Sequence, residues 1–162
     1  GSKYPLAAMY RPHKNRLIAH VQERFRQKYK IRNIEKHRMR EVINSLHENL
    51  ALWYAYDIDA GSKHGVFAPF FGVQTSSLKT VSKLIKLTDA TVIPIDFFRT
   101  DENFGYELTL APALEDFPGT DLVADATRMN AHLERAIRKK PEQYIWQYKR
   151  FKTRPAGEKR FY

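Results

Sequence analysis

The chain has 162 residues, 43% hydrophobic and 13% aromatic, with a net charge of +10 and no cysteine. These values exclude a mainly disordered chain, a disulfide framework and a cysteine-based metal site. No apolar run is long enough to span a bilayer and no signal peptide is visible. The length predicts one domain around a single packed core, and the lack of cysteine permits a reducing compartment. The chain opens on Gly1-Ser2 without an initiating Met, so we expect a piece of a longer protein.

The charge is divided unevenly. Residues 10–40 carry eleven Lys and Arg against Glu23 and Glu35, and residues 138–162 carry nine against Glu142 and Glu158. The ends are therefore basic and the middle acidic, which directs the ends toward phosphates or other anions.

In chain order, "PLAAMY" predicts a short buried strand. Leu17, Ile18, Val21 and Phe25 then recur at helical spacing and predict an amphipathic helix over about 14–29 with a basic outer face. Met39, Val42, Ile43, Leu46 and Leu50 predict a second helix. It leads into "ALWYAYD", apolar on both faces and so expected inside a sheet. In "TSSLKTVSKLIKLT" the N-cap candidates are Thr75 to Ser77, and the apolar stripe is Leu78, Val81, Leu84 and Ile85. "ATVIPIDFF" predicts a buried strand that Pro94 demotes from a central position or bulges. "DENFG" is a turn and "GYELTLAP" a strand partner. After "PGTD" comes a strong helix with Leu122, Ala126, Met129, Leu133 and Ile137 on one face, and Pro141 opens a further short one. The ending "KRFKTRPAGEKRFY" has no period and is expected to be a basic arm. Strands separated by helices imply an α/β layer fold whose sites lie at strand ends.

Two stretches invite chemistry. In "YRPHKNR" the forked guanidinium of Arg11, with His13, Lys14 and Arg16, converges at an expected helix start, and Asn15 can cap that helix. In "YDIDAG", Asp57 and Asp59 lie one residue apart and would share a side of a continuing strand. Such a pair can hold a divalent ion, as in a metal-dependent glycosyltransferase, or can position Arg and Lys partners. "QYKRFKTRP" would also suit a basic nucleic-acid-binding module through stacking and phosphate contact. No His-x-x-x-His pair, serine elbow or phosphate-cradling glycine loop is present, and the six histidines have no catalytic setting.

Taken together, "MYRPHKN", "WYAYDIDAGSKHGVFAPFFG", "GYELTLAPALEDFPG" and "PEQYIWQYKRFKTRP" resemble the bacterial lipid A secondary acyltransferases, the lauroyl and myristoyl transferases. The resemblance runs from about Tyr4 to Tyr162 and is most specific over Pro141 to Pro155. It implies a mixed, partly parallel sheet flanked by helices in a single α/β domain, glycerolphosphate-acyltransferase-like and incomplete without an N-terminal half. Residues 1–149 would form the C-terminal part of that domain and residues 150–162 the basic arm. The implied activity moves a fatty acyl chain from acyl-acyl carrier protein to a hydroxyl of Kdo-lipid A precursor, without a cofactor or metal. The implied place is the cytoplasmic face of the bacterial inner membrane, whose anionic surface is a third partner; nucleic acid is not one.

Carried over by position, Arg11 and Asn15 belong to the family's Tyr-Arg-Pro element, and Asp57 and Asp59 match its paired acids. Ile58 stands where the family has Gln, Tyr56 where it has Pro, and Tyr148 where His is common. Arg16, often Pro in the family, joins Arg11, Asn15, Asp57 and Asp59 as an expected substrate-binding residue. The aspartates are expected to orient the arginines or accept sugar hydroxyls. Arg150, Lys152 and Arg154 are expected to meet anionic lipid headgroups, and the basic first helix could meet an acidic carrier protein. The family's catalytic His–acid pair has no counterpart here and is expected upstream, so the chain alone is expected to be inactive.

Overall fold

The computed structural model describes residues 5–100 and 105–162. The chain forms two compact units, Gly1–Ala55 and Tyr56–Tyr162, where its length alone predicted one. Every paired strand finds its partner within its own unit.

The first unit is a parallel sheet with two helices. Strand β1 (Leu6–Tyr10) leads through an exposed loop into helix α1 (Arg16–Lys28). Then come β2 (Arg32–Glu35), helix α2 (Met39–His47) and β3 (Ala51–Trp53). The strand order is β2-β1-β3, with both edge strands parallel to β1. Ala7, Ile34 and Val42 are fully buried and form the core. Strand β2 has no expected counterpart, because four residues reading Arg-Asn-Ile-Glu give too short an alternation to separate from a loop.

Two expectations are corrected here. "ALWYAYD" contributes only the three-residue edge strand β3, and Trp53 on it is 53% exposed, because the central place belongs to β1. The apolar stripe of α1 exists, but Leu17, Val21 and Phe25 are exposed and no residue of the helix is buried. Periodicity established the helix; it did not establish that the stripe is covered.

In the second unit a short helix α3 (Gly61–His64) runs into a hairpin of β4 (Gly65–Phe70) and β5 (Val73–Leu78). Phe71 and Gly72 at its tip both have positive φ, 49° and 76°, the combination that joins right-twisted strands in two residues and that glycine adopts without strain. Helix α4 (Thr80–Thr88) follows, burying Val81, Leu84 and Ile85 as the stripe predicted. Its start differs: Thr75, Ser76 and Ser77 are buried in β5, so Lys79 occupies the cap position without a side-chain cap. Strand pairing with β4 takes the backbone that the cap reading assigned to a helix start.

A second hairpin pairs β6 (Ile95–Arg99), which begins just after Pro94, with β7 (Tyr106–Leu110). The "DENFG" turn lies mostly outside the described residues. The strand expected to be buried alternates instead. Asp96 turns inward, while Phe97 is 59% exposed and stacks on Tyr106 with centroids 5.0 Å apart. Helix α5 (Leu122–Lys139) begins at Asp121, whose carboxylate accepts the amides of Val123 and Ala124. It carries Ala126 and Ile137 into the core beside β4 and β5. A 3-10 turn at Pro141–Gln143 follows, and residues 144–162 run without regular structure.

Candidate functional site

The first group of expected residues lies at the C-terminal end of β1. Arg11, His13, Lys14, Asn15 and Arg16 are all exposed in the loop that opens α1. Asn15 caps the helix, its Oδ1 accepting the amides of Leu17 (2.9 Å) and Ile18 (3.3 Å), while its own amide donates to His13 Nδ1 at 3.1 Å. A carboxamide fixed on the first turn leaves Asn15 a structural task, and places Arg11 and Arg16 on either side of a positive helix end. Farther along α1, the Arg26 guanidinium lies 4.8 Å from the centre of the Tyr10 ring.

The second group is built around the aspartate pair. Asp57 is exposed. The Asp59 carboxylate is engaged within its own unit by Thr153, which donates its amide (3.3 Å) and its hydroxyl (2.9 Å). The Asp59 amide donates to Tyr148 Oη at 2.9 Å. The next residues are held from the other side. Ala60 N donates to the Ser76 carbonyl at 3.3 Å, and Ser76 Oγ donates to the Gly61 carbonyl at 2.9 Å. From sequence, both aspartates are expected to orient arginines or accept sugar hydroxyls; for Asp59 the donors are a threonine amide and hydroxyl. Tyr148 thus supplies an acceptor for this loop.

Arg150 corrects the expectation of a headgroup contact. It is 1% exposed. Its Nη1 donates to the Ser76 carbonyl at 2.8 Å, and its Nη2 to Ser77 Oγ at 3.1 Å, with Asn130 Oδ1 at 3.5 Å. Phe70 lies against it, 5.2 Å from guanidinium carbon to ring centre. Asn130 completes the cluster by donating to the Pro69 carbonyl and to Ser77 Oγ, both at 2.9 Å. Burial lowers the Arg150 pKa, and the nearby Tyr144 hydroxyl opposes that shift. The Tyr144 hydroxyl is itself buried without a hydrogen-bond partner. Burial, and then the charge of Asp57, push its pKa up to about 12.

Lys152 is exposed as expected. Arg154 is largely covered, its Nη1 donating to the Gln74 carbonyl, its Nη2 pairing with Glu158, and its face on the Phe161 ring at 4.6 Å. Phe151 packs between Phe70 and Phe161. The supposed basic arm is thus part of the second unit.

The sequence assigned no task to two further clusters. His132 Nε2 lies 2.9 Å from Asp96 Oδ1, and Lys139 Nζ donates to the other carboxylate oxygen at 2.8 Å, joining α5 to β6. Burial raises the Asp96 pKa, but the Lys139 and His132 hydrogen bonds outweigh it and the net shift is downward. Gln143 brackets the backbone of Arg99, accepting its amide and donating to its carbonyl, each at 2.8 Å. Trp146 Nε1 donates to the Pro141 carbonyl at 2.7 Å. The Pro-Glu-Gln-Tyr-x-Trp stretch therefore docks the chain after α5 onto the end of β6. Among the described residues, no group of three or more His, Cys, Asp or Glu could hold a metal ion.

The sequence pattern of bacterial lipid A biosynthesis acyltransferases matches residues 1–153. The chain belongs to this family. It is 37% identical to a lipid A biosynthesis palmitoleoyltransferase of Escherichia coli (strain K12) over 159 residues, 98% of this chain and 52% of that protein. It is 32% identical to the lauroyltransferase of the same organism over 158 residues, 97% of this chain and 52% of that protein. Identity to the myristoyltransferase there is 27% over 154 residues, 94% and 48% respectively. The chain thus spans about half the length of the lipid A acyltransferases it matches. Among the described residues, no helix is long and apolar enough to cross a membrane.

Proposed function

We propose that the protein to which this chain belongs transfers a fatty acyl group from acyl-acyl carrier protein to a hydroxyl of a Kdo-lipid A precursor, at the cytoplasmic face of the inner membrane. The observation that carries the reading is the family match over residues 1–153, with transferases of three different acyl groups among the relatives. In this reaction a general base removes the proton of the acceptor hydroxyl, whose oxygen attacks the thioester carbonyl. The tetrahedral oxyanion then collapses, forming the new ester and expelling the carrier thiolate.

The part proposed for these residues is to bind the acceptor. Arg11 and Arg16, exposed at the end of β1, present guanidinium forks suited to its phosphates, and Asn15 fixes the loop between them. Asp57, exposed, is suited to accept a hydrogen bond from a sugar hydroxyl, whereas Asp59 is engaged by Thr153. The general base is proposed to come from outside this chain. Among the described residues of the second unit, the histidine–carboxylate pair His132 with Asp96 lies mostly buried, and its Nε2 already faces the carboxylate.

The test is acyl transfer by the protein at the full length of its relatives, with Kdo-lipid A precursor and acyl-acyl carrier protein. Arg11→Ala and Asp57→Ala should each raise the acceptor KM well beyond the effect of Lys159→Ala, and EDTA should leave the rate unchanged. The 162-residue chain alone should give no product above blank. Equal effects of all three substitutions, or turnover by the chain alone, would overturn this assignment.

A further inference from the structure

The last turn of the chain borders a half-open cavity that the acyl-transfer reading does not use. Its volume is about 560 Å³, and Lys149, Lys152, Arg154 and Arg160 line it, against the Glu158 side chain and the terminal carboxylate of Tyr162. The Glu158 carboxylate is already paired with Arg154, so the cations that line the cavity still outnumber its acids. The shape of the cavity has a backbone cause. Glu158 N donates to the Pro155 carbonyl at 3.2 Å, and Gly157 has φ 82°, so the chain reverses over four residues and brings Arg160 to the same cavity as Lys152. Arg154 forms a fixed wall, held by Gln74, Glu158 and Phe161, with its Nε buried and unpartnered. The Lys149 ammonium lies 5.6 Å from the centre of the Tyr162 ring, while Lys152 and Arg160 are exposed.

We infer that this cavity binds a phosphate group, and that Asp59 keeps it in shape. A phosphate brings several acceptor oxygens and up to two negative charges, which suits a cavity with surplus cations better than a lone carboxylate does. The segment that forms the cavity is tied down at three points: Arg150 to the Ser76 carbonyl, Thr153 to the Asp59 carboxylate, and Arg154 to the Gln74 carbonyl. Such a site is ordered before the ligand arrives and loses less entropy on binding. Asp59 is thus a positioning residue acting through Thr153. The inference does not rest on acyl transfer, because binding is measured without turnover.

The latch makes a prediction opposite in sign to simple electrostatics. Removing a carboxylate near a basic cavity should tighten anion binding if charge alone matters. If the latch holds the cavity, Asp59→Asn should weaken it severalfold. Thr153→Val should do the same, and Thr153→Ser, which keeps the hydroxyl, should bind like the parent.

The experiment is calorimetric titration of the 162-residue chain with inorganic pyrophosphate at low salt, with circular dichroism to show that each variant is folded. Lys152→Ala with Arg160→Ala should weaken binding by about tenfold or more, because both remove charge-assisted donors. The charge-matched pair Lys28→Ala with Lys30→Ala, in the first unit, should leave it unchanged. Co-sedimentation with phosphatidylglycerol vesicles, against phosphatidylcholine vesicles and with glucosamine 1-phosphate as competitor, identifies the source of the phosphate. Phosphate-displaceable binding to the anionic vesicles assigns a lipid headgroup; binding of the sugar phosphate without the vesicles assigns a soluble or acceptor phosphate. Absence of saturable pyrophosphate binding, or equal weakening by the Lys28/Lys30 pair, would overturn the site. Tighter binding by Asp59→Asn would overturn the latch.

Discussion

Removing Arg150 tests the most unexpected placement in the molecule, and the result should depend on what replaces it. In Arg150→Ala the guanidinium, its stem and its contact with Phe70 all disappear. The lost packing of a large buried side chain should cost about 2–3 kcal/mol. The polar loss is smaller than a count of bonds suggests. The Ser76 carbonyl keeps the Ala60 amide, and Ser77 Oγ keeps the Asn130 amide, so neither acceptor is orphaned. The polar term is then the charge-assisted bonds less the desolvation of a buried cation, a net of about 1 kcal/mol. Together they give about 3–4 kcal/mol for Arg150→Ala. Arg150→Met keeps the stem volume and relieves the desolvation, and should cost only about 1 kcal/mol. The assay is urea unfolding followed by Trp146 fluorescence in a Trp53→Phe background, so that the signal comes from the second unit alone. Equal losses for Ala and Met would show that the charge dominates. Losses under about 0.5 kcal/mol for both are those of a surface arginine and would refute the buried cluster.

Asp96 ties stability to pH. Its folded pKa lies below the unfolded value, so its contribution is present above the unfolded carboxylate range and is lost as pH falls through the folded pKa. Unfolding of the second unit should therefore show a stability loss in acid that Asp96→Asn removes, and an unchanged slope in that variant would contradict the Asp96 pairing. Asn15→Ala should destabilise the first unit by about 1 kcal/mol through the lost cap, while Asn15→Asp largely preserves it. Comparing urea midpoints of the two variants checks this.

How much the sequence determined follows from the range of the interactions involved. Strand β1, the α1 helix with its Asn15 cap, α2 and the stripes of α4 and α5 were legible because each depends on residues within a few positions of one another. The family motifs were legible for the same reason, as contiguous strings. Their tasks were not. Nothing local marks Gln143 as the bracket of Arg99, or separates the exposed Asp57 from the latched Asp59 two residues on. Local reading also puts an arginine in a basic stretch at the surface. Arg150 is buried because Ser76, Ser77 and Asn130, 74, 73 and 20 residues away, converge to satisfy a guanidinium that burial alone would exclude. Likewise a helical stripe predicts one apolar face, and only packing decides whether it is covered; in α4 it is buried and in α1 it is exposed. The sequence determined where β1 and the longer helices form and which family the chain belongs to. The tertiary structure decided which charges are buried and satisfied, because a long-range hydrogen bond exists only where the fold brings donor and acceptor together.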